Sequence, residues 1–376
     1  MEKPLGGVKV LELARILAGP WAGQLLADLG AEVIKVERPE GGDDTRSWGP
    51  PFVTGAEGAD LGAAYFHACN RGKSSVAIDM ATAAGQAEIR RLAAGSDVLI
   101  ENFKVGGLAR YGLDFATLSA INPRLVYCSI TGFGQTGPYA PRAGYDFIIQ
   151  GMGGAMSLTG EPDGAPQKSG VAYADLFTGV YSVVAILAAL RRRDATGRGA
   201  QIDMALLDTQ VGVLANQALN WMASGKVPHR MGNGHANLAP YQSFPTQDGD
   251  VIIAVGNDRQ FGKLCAILGC EGLTRDTRFA TNPGRVTNRA ALIPILECLI
   301  AGRGMAELSQ ALEDAGIPAG PINAVDRVFA DPQVVARAMR IDGSGNPDGI
   351  PGLASPIVID GVRMVSDRPS PRLGSG

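Results

Sequence analysis

The chain has 376 residues, 45% of them hydrophobic and 19% charged, with a net charge of −3. This is the balance of a soluble globular protein with more than one domain, and it argues against a nucleic-acid surface or a polybasic membrane anchor. His67, His229 and His235, with five scattered cysteines, give no zinc-site spacing and no CxxC pair, so we expect no metal and the reduced thiols of a cytoplasmic protein. The first residues carry no signal-peptide pattern, and no apolar run reaches membrane-spanning length.

Val8–Leu13 reads as a strand, Pro20–Leu29 as a helix with proline at its first position and Gly30 behind it, and Ala31–Glu37 as a second strand. This βαβ opening implies parallel strands joined by a right-handed crossover. The GxGxxG fingerprint of a dinucleotide fold is missing from the first turn, where Ala14-Arg-Ile-Leu-Ala-Gly-Pro20 stands instead. Residues 39–58 read as a loop carrying Asp43, Asp44, Arg46 and Trp48, the kind of segment in which binding residues concentrate or which is simply solvated. Strands follow at Ser75–Asp79, Asp97–Ile100 and Leu125–Ser129, with helices at Thr82–Ala94 and Phe115–Ile121 between them, so the expectation is a doubly wound α/β sheet. Residues 131–170 are glycine-rich with few strand signals, as in a mobile or ligand-contacting region.

A strand over Ala200–Ala205 and a helix over Leu206–Met222 come next. Near Ser224 the pattern changes. Tyr241–Thr246 and Asp250–Val255 flank Gln247-Asp-Gly249 as a hairpin, with helices predicted at Gln260–Leu268, Arg289–Leu299 and Met305–Ala315. We therefore expect a large domain over 1–224, a smaller α+β domain over 225–330, and a proline- and glycine-rich segment over 331–376, with one helix at Pro332–Met339, returning to the large domain.

Within Gly170-Val-Ala-Tyr-Ala-Asp-Leu-Phe-Thr-Gly179, Asp175 is the one ionisable residue with acid strength, and the apolar run Val180–Leu190 behind it ends in Arg191-Arg192-Arg193. That is a helix with its basic residues at the C-terminus. Asp175 then lies near the helix start, either as an ordinary N-cap or as a functional carboxylate. With no histidine beside it, such a carboxylate can act as a nucleophile toward an acyl group whose leaving group is good, as in a thioester. Neighbouring glycines would let backbone N–H groups approach the oxyanion. Arg38, Arg46, Arg71, Lys73, Lys104 and Arg110, several of them just beyond predicted strand C-termini, together suit a ligand with several phosphates. Singly, each reads as a solvated charge.

Taken together, Val10–Pro20, Leu29–Arg38, Gly42-Asp-Asp-Thr-Arg46, Asn70-Arg-Gly-Lys-Ser74, Glu101-Asn-Phe103, Thr131–Pro138, Gly144-Tyr-Asp146 and Ala174–Gly179 resemble the class III CoA-transferases, the CaiB–BaiF family, over nearly the whole chain. The resemblance implies a Rossmann-like large domain, coenzyme A and acyl-CoA as substrates with no tightly bound cofactor, and an interlocked homodimer. It implies Asp175 as the catalytic residue, forming a mixed anhydride and then an aspartyl-CoA thioester. CoA contacts are implied at Ile16, Leu17, Ala18, Arg38, Asn70, Lys73, Asn102, Phe103 and Arg110. Asp43–Phe52, Arg142–Asp146 and Pro318–Asn323 resemble the dicarboxylate branch, which implies succinyl-CoA as donor and an acceptor such as glutarate. The glycine run of the oxalate branch is replaced by Val255-Gly-Asn-Asp-Arg-Gln260. Arg46 or Arg142 would hold the far carboxylate, and Tyr145, Gly256 and Asn257 would shape the acyl pocket. The rival readings are a 2-methylacyl-CoA racemase of the same superfamily, a catalytically silent CoA-binding protein and a dinucleotide dehydrogenase. The racemases carry a His-Asp pair where Tyr145-Asp146 stands here.

Overall fold

Val98–Glu101 and Val126–Thr131 are buried at every position, as strands covered on both faces should be. The computed structural model of the chain describes residues 3–55, 58–344, 346 and 348–375. From the N-terminus run β1 (Lys9–Glu12), α1 (Ala18–Asp28), β2 (Glu32–Glu37), β3 (Phe52–Thr54), β4 (Asp60–Ala63), α2 (Ala64–His67), β5 (Lys73–Ala77), α3 (Ala83–Ala94), β6 (Val98–Glu101), α4 (Phe115–Ile121) and β7 (Val126–Thr131). Then come α5 (Asp146–Met152), α6 (Ala155–Leu158), α7 (Tyr173–Thr196), β8 (Ala200–Ala205) and α8 (Leu206–Gly212).

Among the described residues, six strands form a sheet in the order β5-β2-β1-β6-β7-β8, and every neighbouring pair is parallel. The sheet alternates its side chains between two cores. Val98 and Ile100 pack with α1 and α7, through Ala22, Leu26, Val183 and Ile186. Leu99 points the other way, to Ile89 and Ala93 of α3 and Leu118 of α4. Helices on both faces make the doubly wound arrangement expected above. The strand order reverses between β1 and β6, and in such sheets a crevice opens there beyond the strand C-termini.

The chain divides into two units. The first comprises Met1–Ala155, Ser169–Ala215 and Asp331–Gly376, and the second Met156–Lys168 and Asn216–Ala330. The boundary at 224 therefore shifts. The helix expected over Leu206–Met222 is broken into α8 and α9 (Ala215–Ser224), with Ala215 at φ 45°. Residues 156–168 join the second unit because Arg230 donates to the carbonyls of Glu161 (3.2 Å) and Gly164 (2.7 Å), and Gly232 N–H to that of Gly160 (3.0 Å). The tail is tied to the first unit by Ser366 N–H to Asp28 (2.8 Å), Arg71 to the Leu353 carbonyl (2.6 Å) and Gly374 N–H to Ser75 Oγ (3.0 Å). The second unit holds the antiparallel sheet β11-β10-β9, from β9 (Tyr241–Pro245), β10 (Asp250–Ala254) and β11 (Ala319–Pro321). It carries its own core of Phe244, Val251, Ile253, Phe261, Leu264 and Leu296.

Helix α7 is long and apolar enough to cross a membrane by length and composition, which the run Val180–Leu190 alone is not. Here it lies against the sheet with Val183, Ile186 and Leu190 in the core.

Candidate active site

The turn from β1 into α1 and the segment after β6 face each other where the strand order reverses, and between them opens a cavity of about 530 Å³. Ile16, Leu17 and Ala18 line it from one side, and Asn102 and Phe103 from the other. Asn102 locks the two together, accepting from Arg15 N–H at 2.9 Å and donating to the Arg15 carbonyl at 2.6 Å. Glu101 accepts the Phe103 N–H at 2.7 Å. Burial pushes that carboxyl up to about 7.

Asp175 is on the same cavity wall. It occupies the first turn of α7, whose N-cap is Ala172 with no side-chain cap. The N-cap reading of Asp175 therefore fails, and the reason lies in Asp146. One oxygen of Asp146 accepts from Ala174 N–H (2.9 Å) and, at 3.4 Å, from Asp175 N–H. Its other oxygen accepts from Gln150 (2.7 Å), which in turn holds Ser169 N–H (2.9 Å). With the helix amides served from α5, the Asp175 carboxylate is left facing the cavity, and it accepts no hydrogen bond among the described residues. Burial, followed by the charge of Asp146, pushes the Asp175 carboxyl up to about 7. A carboxylate in that state is poorly solvated and half-ionised at neutral pH, and so more nucleophilic than a hydrated one. Tyr65 feels it as well: burial and then the charge of Asp175 push its phenol up to about 12.

The cations around the cavity are Arg15, Lys104, Arg110 and Arg142. Arg110 lies over the Tyr111 ring (4.5 Å) and Arg142 over Tyr139 (4.6 Å) and Phe133 (5.3 Å). Neither has an acidic partner among the described residues. Tyr145 also lines the cavity and is 57% exposed.

Other expected contacts lie elsewhere. Lys73 is buried, and its ammonium is used up by Glu12 (2.8 Å), Asn70 (2.8 Å) and the Pro20 carbonyl (2.8 Å). Asn70 is buried with it. Both form a floor beneath α1 and offer nothing to a phosphate. Arg46 is committed to Glu37 through two bonds of 2.7 and 2.8 Å and lies over Phe66, which removes it as a clamp for a free carboxylate. Arg71 is likewise paired with Asp28 (2.6 Å). Arg38 is exposed, bonded to Asp44 (2.7 Å), and does not line the cavity. Gly256 and Asn257 belong to the second unit, where the Asn257 side chain caps α10 (Asp258–Leu268). Among the described residues no histidine lines the cavity: His67 is buried between Ser370 Oγ and the Leu61 carbonyl.

Sequence reading missed Asp146 as the cap, Tyr65, and Arg15 in the wall. Asp146 carried a usable signal, an acid opening a short apolar segment with Gln150 four residues on. Arg15 carried the same signal as the other cations, a place just beyond the C-terminus of a predicted strand, and Tyr65 carried none.

Comparison with known proteins agrees in one direction. The model of "CoA-transferase family III" matches residues 5–376. The chain is 56% identical over 373 residues to succinate–glutarate CoA-transferase of Agrobacterium fabrum, covering 99% of this chain and 93% of that protein. It is 42% identical to succinyl-CoA:glutarate CoA-transferase of Homo sapiens, covering 99% and 84%. The crystal structure of a CAIB/BAIF family protein from Brucella suis superposes with a TM-score of 0.88 at 60% identity, covering 100% of this chain and 97% of that one.

Proposed function

The chain belongs to CoA-transferase family III, and from that premise we propose that it moves CoA from succinyl-CoA to a dicarboxylate, glutarate in particular, with Asp175 as the nucleophile. The observation that carries this reading is the Asp175 carboxylate, free of hydrogen bonds among the described residues, on the wall of a cavity rimmed by Lys104, Arg110 and Arg142. The relatives that are 56% and 42% identical bear names with glutarate as a substrate.

The steps follow from those groups. The Asp175 carboxylate attacks the thioester carbon of succinyl-CoA; the C–S bond breaks and CoA leaves as thiolate. The thiolate attacks the Asp175 carbonyl of the resulting mixed anhydride, releasing succinate and leaving an aspartyl-CoA thioester. Glutarate attacks that thioester as the anion it already is, and thiolate leaves again. In the last step the thiolate attacks the glutaryl carbonyl, which frees Asp175 and yields glutaryl-CoA. No proton is transferred, so the site needs no histidine. Lys104 and Arg110 suit the phosphates of CoA. Arg142, without an acidic partner among the described residues, suits the far carboxylate of the acceptor.

Incubation with succinyl-CoA and a panel of dicarboxylates, followed by mass spectrometry, should give glutaryl-CoA fastest. No CoA ester of any acid, alongside rapid deuterium uptake at the α-carbon of a 2-methylacyl-CoA in deuterated water, would replace this reading with the racemase.

The protein acts as a homodimer in this reading. Phe177, Val180, Tyr181 and Val184 of α7 are 42–58% exposed, and Phe147 and Met152 of α5 add 56% and 43%. An apolar face of that extent calls for a partner surface, and an interlocked second copy of this chain is the one proposed. The free thiols Cys69, Cys128, Cys265, Cys270 and Cys298 fit a reducing, cytoplasmic setting.

A further inference from the structure

Ile16, on the cavity wall, has φ +73°, a left-handed backbone that a β-branched side chain takes only under constraint. The constraint is built from below. Ile16 N–H points at both oxygens of Asp43, 3.3 Å from each. Asp43 is almost fully buried and is itself fixed by Lys35 (2.9 Å) and by the N–H and hydroxyl of Thr45 (3.0 and 2.8 Å). Lys35, wholly buried, also grips Glu12 (3.0 Å) and the carbonyl of Ala14 (2.8 Å), two residues before Ile16. On the far side Asn102 holds both backbone groups of Arg15.

The turn so held touches the helix that carries the nucleophile. Gly179, one turn beyond Asp175, approaches it so closely that a Cβ there would come within 2.8 Å of the Ala18 carbonyl oxygen. The position of residues 16–18 and the position of Asp175 are thus linked through the packing of α1 on α7, which brings Gly179 against Ala18 and Trp21. None of Asp43, Lys35 and Thr45 lines the cavity; the turn at residues 14–16 is the part of its wall that the hydrogen bonds of Asp43 and Lys35 reach.

We infer that Asp43 is a positioning residue: pinned by Lys35, it imposes the left-handed turn at Ile16 and so sets the cavity wall against which α7 holds Asp175. The inference rests on the transferase reading above.

The test is a double-mutant cycle. Glycine takes a positive φ at no steric cost, so Ile16→Gly should make Asp43 dispensable for the shape of the turn. Asp43→Asn alone should lower kcat for succinyl-CoA:glutarate transfer by about tenfold or more, since small misplacements at a reacting centre cost that much. The same change in the Ile16→Gly background should cost less than about twofold, the margin within which uncoupled sites add. The melting temperature should behave differently: it should fall with Asp43→Asn in both backgrounds, because Lys35 loses a buried partner in each. Should Asp43→Asn fail to fold, Thr45→Val, which removes only the hydroxyl that fixes Asp43 from outside the cavity, carries the same cycle. Losses in kcat that simply multiply would overturn the inference, as would rescue of kcat and melting temperature together. A wild-type protein with no transfer activity would instead sink the transferase reading, so the two failures are distinguishable.

Discussion

At Asp175 burial and reactivity oppose each other. Between about pH 4 and 7 the folded chain keeps a proton there that an unfolded chain gives up, so stability from this group is present at low pH and lost as pH rises through about 7. Asp175→Asn should therefore raise the melting temperature relative to wild type more at pH 8.5 than at pH 5. The distance from 3.8 to about 7 sets the ceiling of that gain at roughly 4 kcal/mol. The same substitution should lower transfer at least about a thousandfold, roughly 4 kcal/mol of barrier. In wild type, kcat/KM should rise with pH through about 7, as the nucleophile ionises. Asp146 separates charge from capping. Asp146→Asn still accepts the Ala174 N–H but removes the like charge, so the acid limb of that profile should move to lower pH. Asp146→Ala should also lose the cap, about 1 kcal/mol, read as a drop in the urea midpoint. Arg142→Gln should raise KM for glutarate by about tenfold or more while leaving KM for succinyl-CoA within about twofold, since an unpaired acceptor carboxylate is the only charge removed from contact. Equal changes in both would place Arg142 on the CoA moiety.

Among the elements, the parallel strands were the legible part. Fully buried strands read as short, mostly apolar runs, Val98-Leu-Ile100 ahead of Glu101 in β6 and Val126-Tyr-Cys128 ahead of Ser129 in β7, and α3 announced its start through Thr82, which caps it by accepting Gly85 N–H at 3.0 Å. Helix α5 was hidden because glycines surround it, at Gly144, Gly153 and Gly154, and Gly151 sits inside it. The hairpin of β3 and β4 was hidden in a segment whose turn residues outweigh its strand signal. The cations were hardest. Lys73, Arg46 and Arg71 looked in sequence like Lys104 and Arg110, but their partners Glu12, Glu37 and Asp28 come from other elements. Nothing in local spacing distinguishes a buried ion pair from a free charge. Glycine at 179 has a packing reason that sequence also could not show. Gly179→Ala should force α1 and α7 apart against the Ala18 carbonyl and Trp21, costing about 1–3 kcal/mol in denaturant unfolding, with a fall in kcat.

At the level of the whole chain, the discontinuous makeup of the two units was only partly visible. The tail's return to the first unit was expected, but the transfer of residues 156–168 to the second rests on hydrogen bonds from Arg230 and Gly232, about 70 residues away. The exposed apolar flank of α7 predicts that sedimentation at micromolar concentration will show a homodimer. Tyr181→Asp and Val184→Asp, each placing a charge on that flank, should weaken it. A folded wild-type monomer would remove the dimer from the account.

The most direct test is to find the covalent intermediate. The protein is incubated with succinyl-CoA without an acceptor, quenched with hydroxylamine, digested and read by mass spectrometry. Asp175 in its peptide should be converted to the hydroxamate, and the Asp175→Asn protein should show no such conversion. A wild-type protein that makes glutaryl-CoA with Asp175 unlabelled, or with the label on another acid, would contradict Asp175 as the nucleophile.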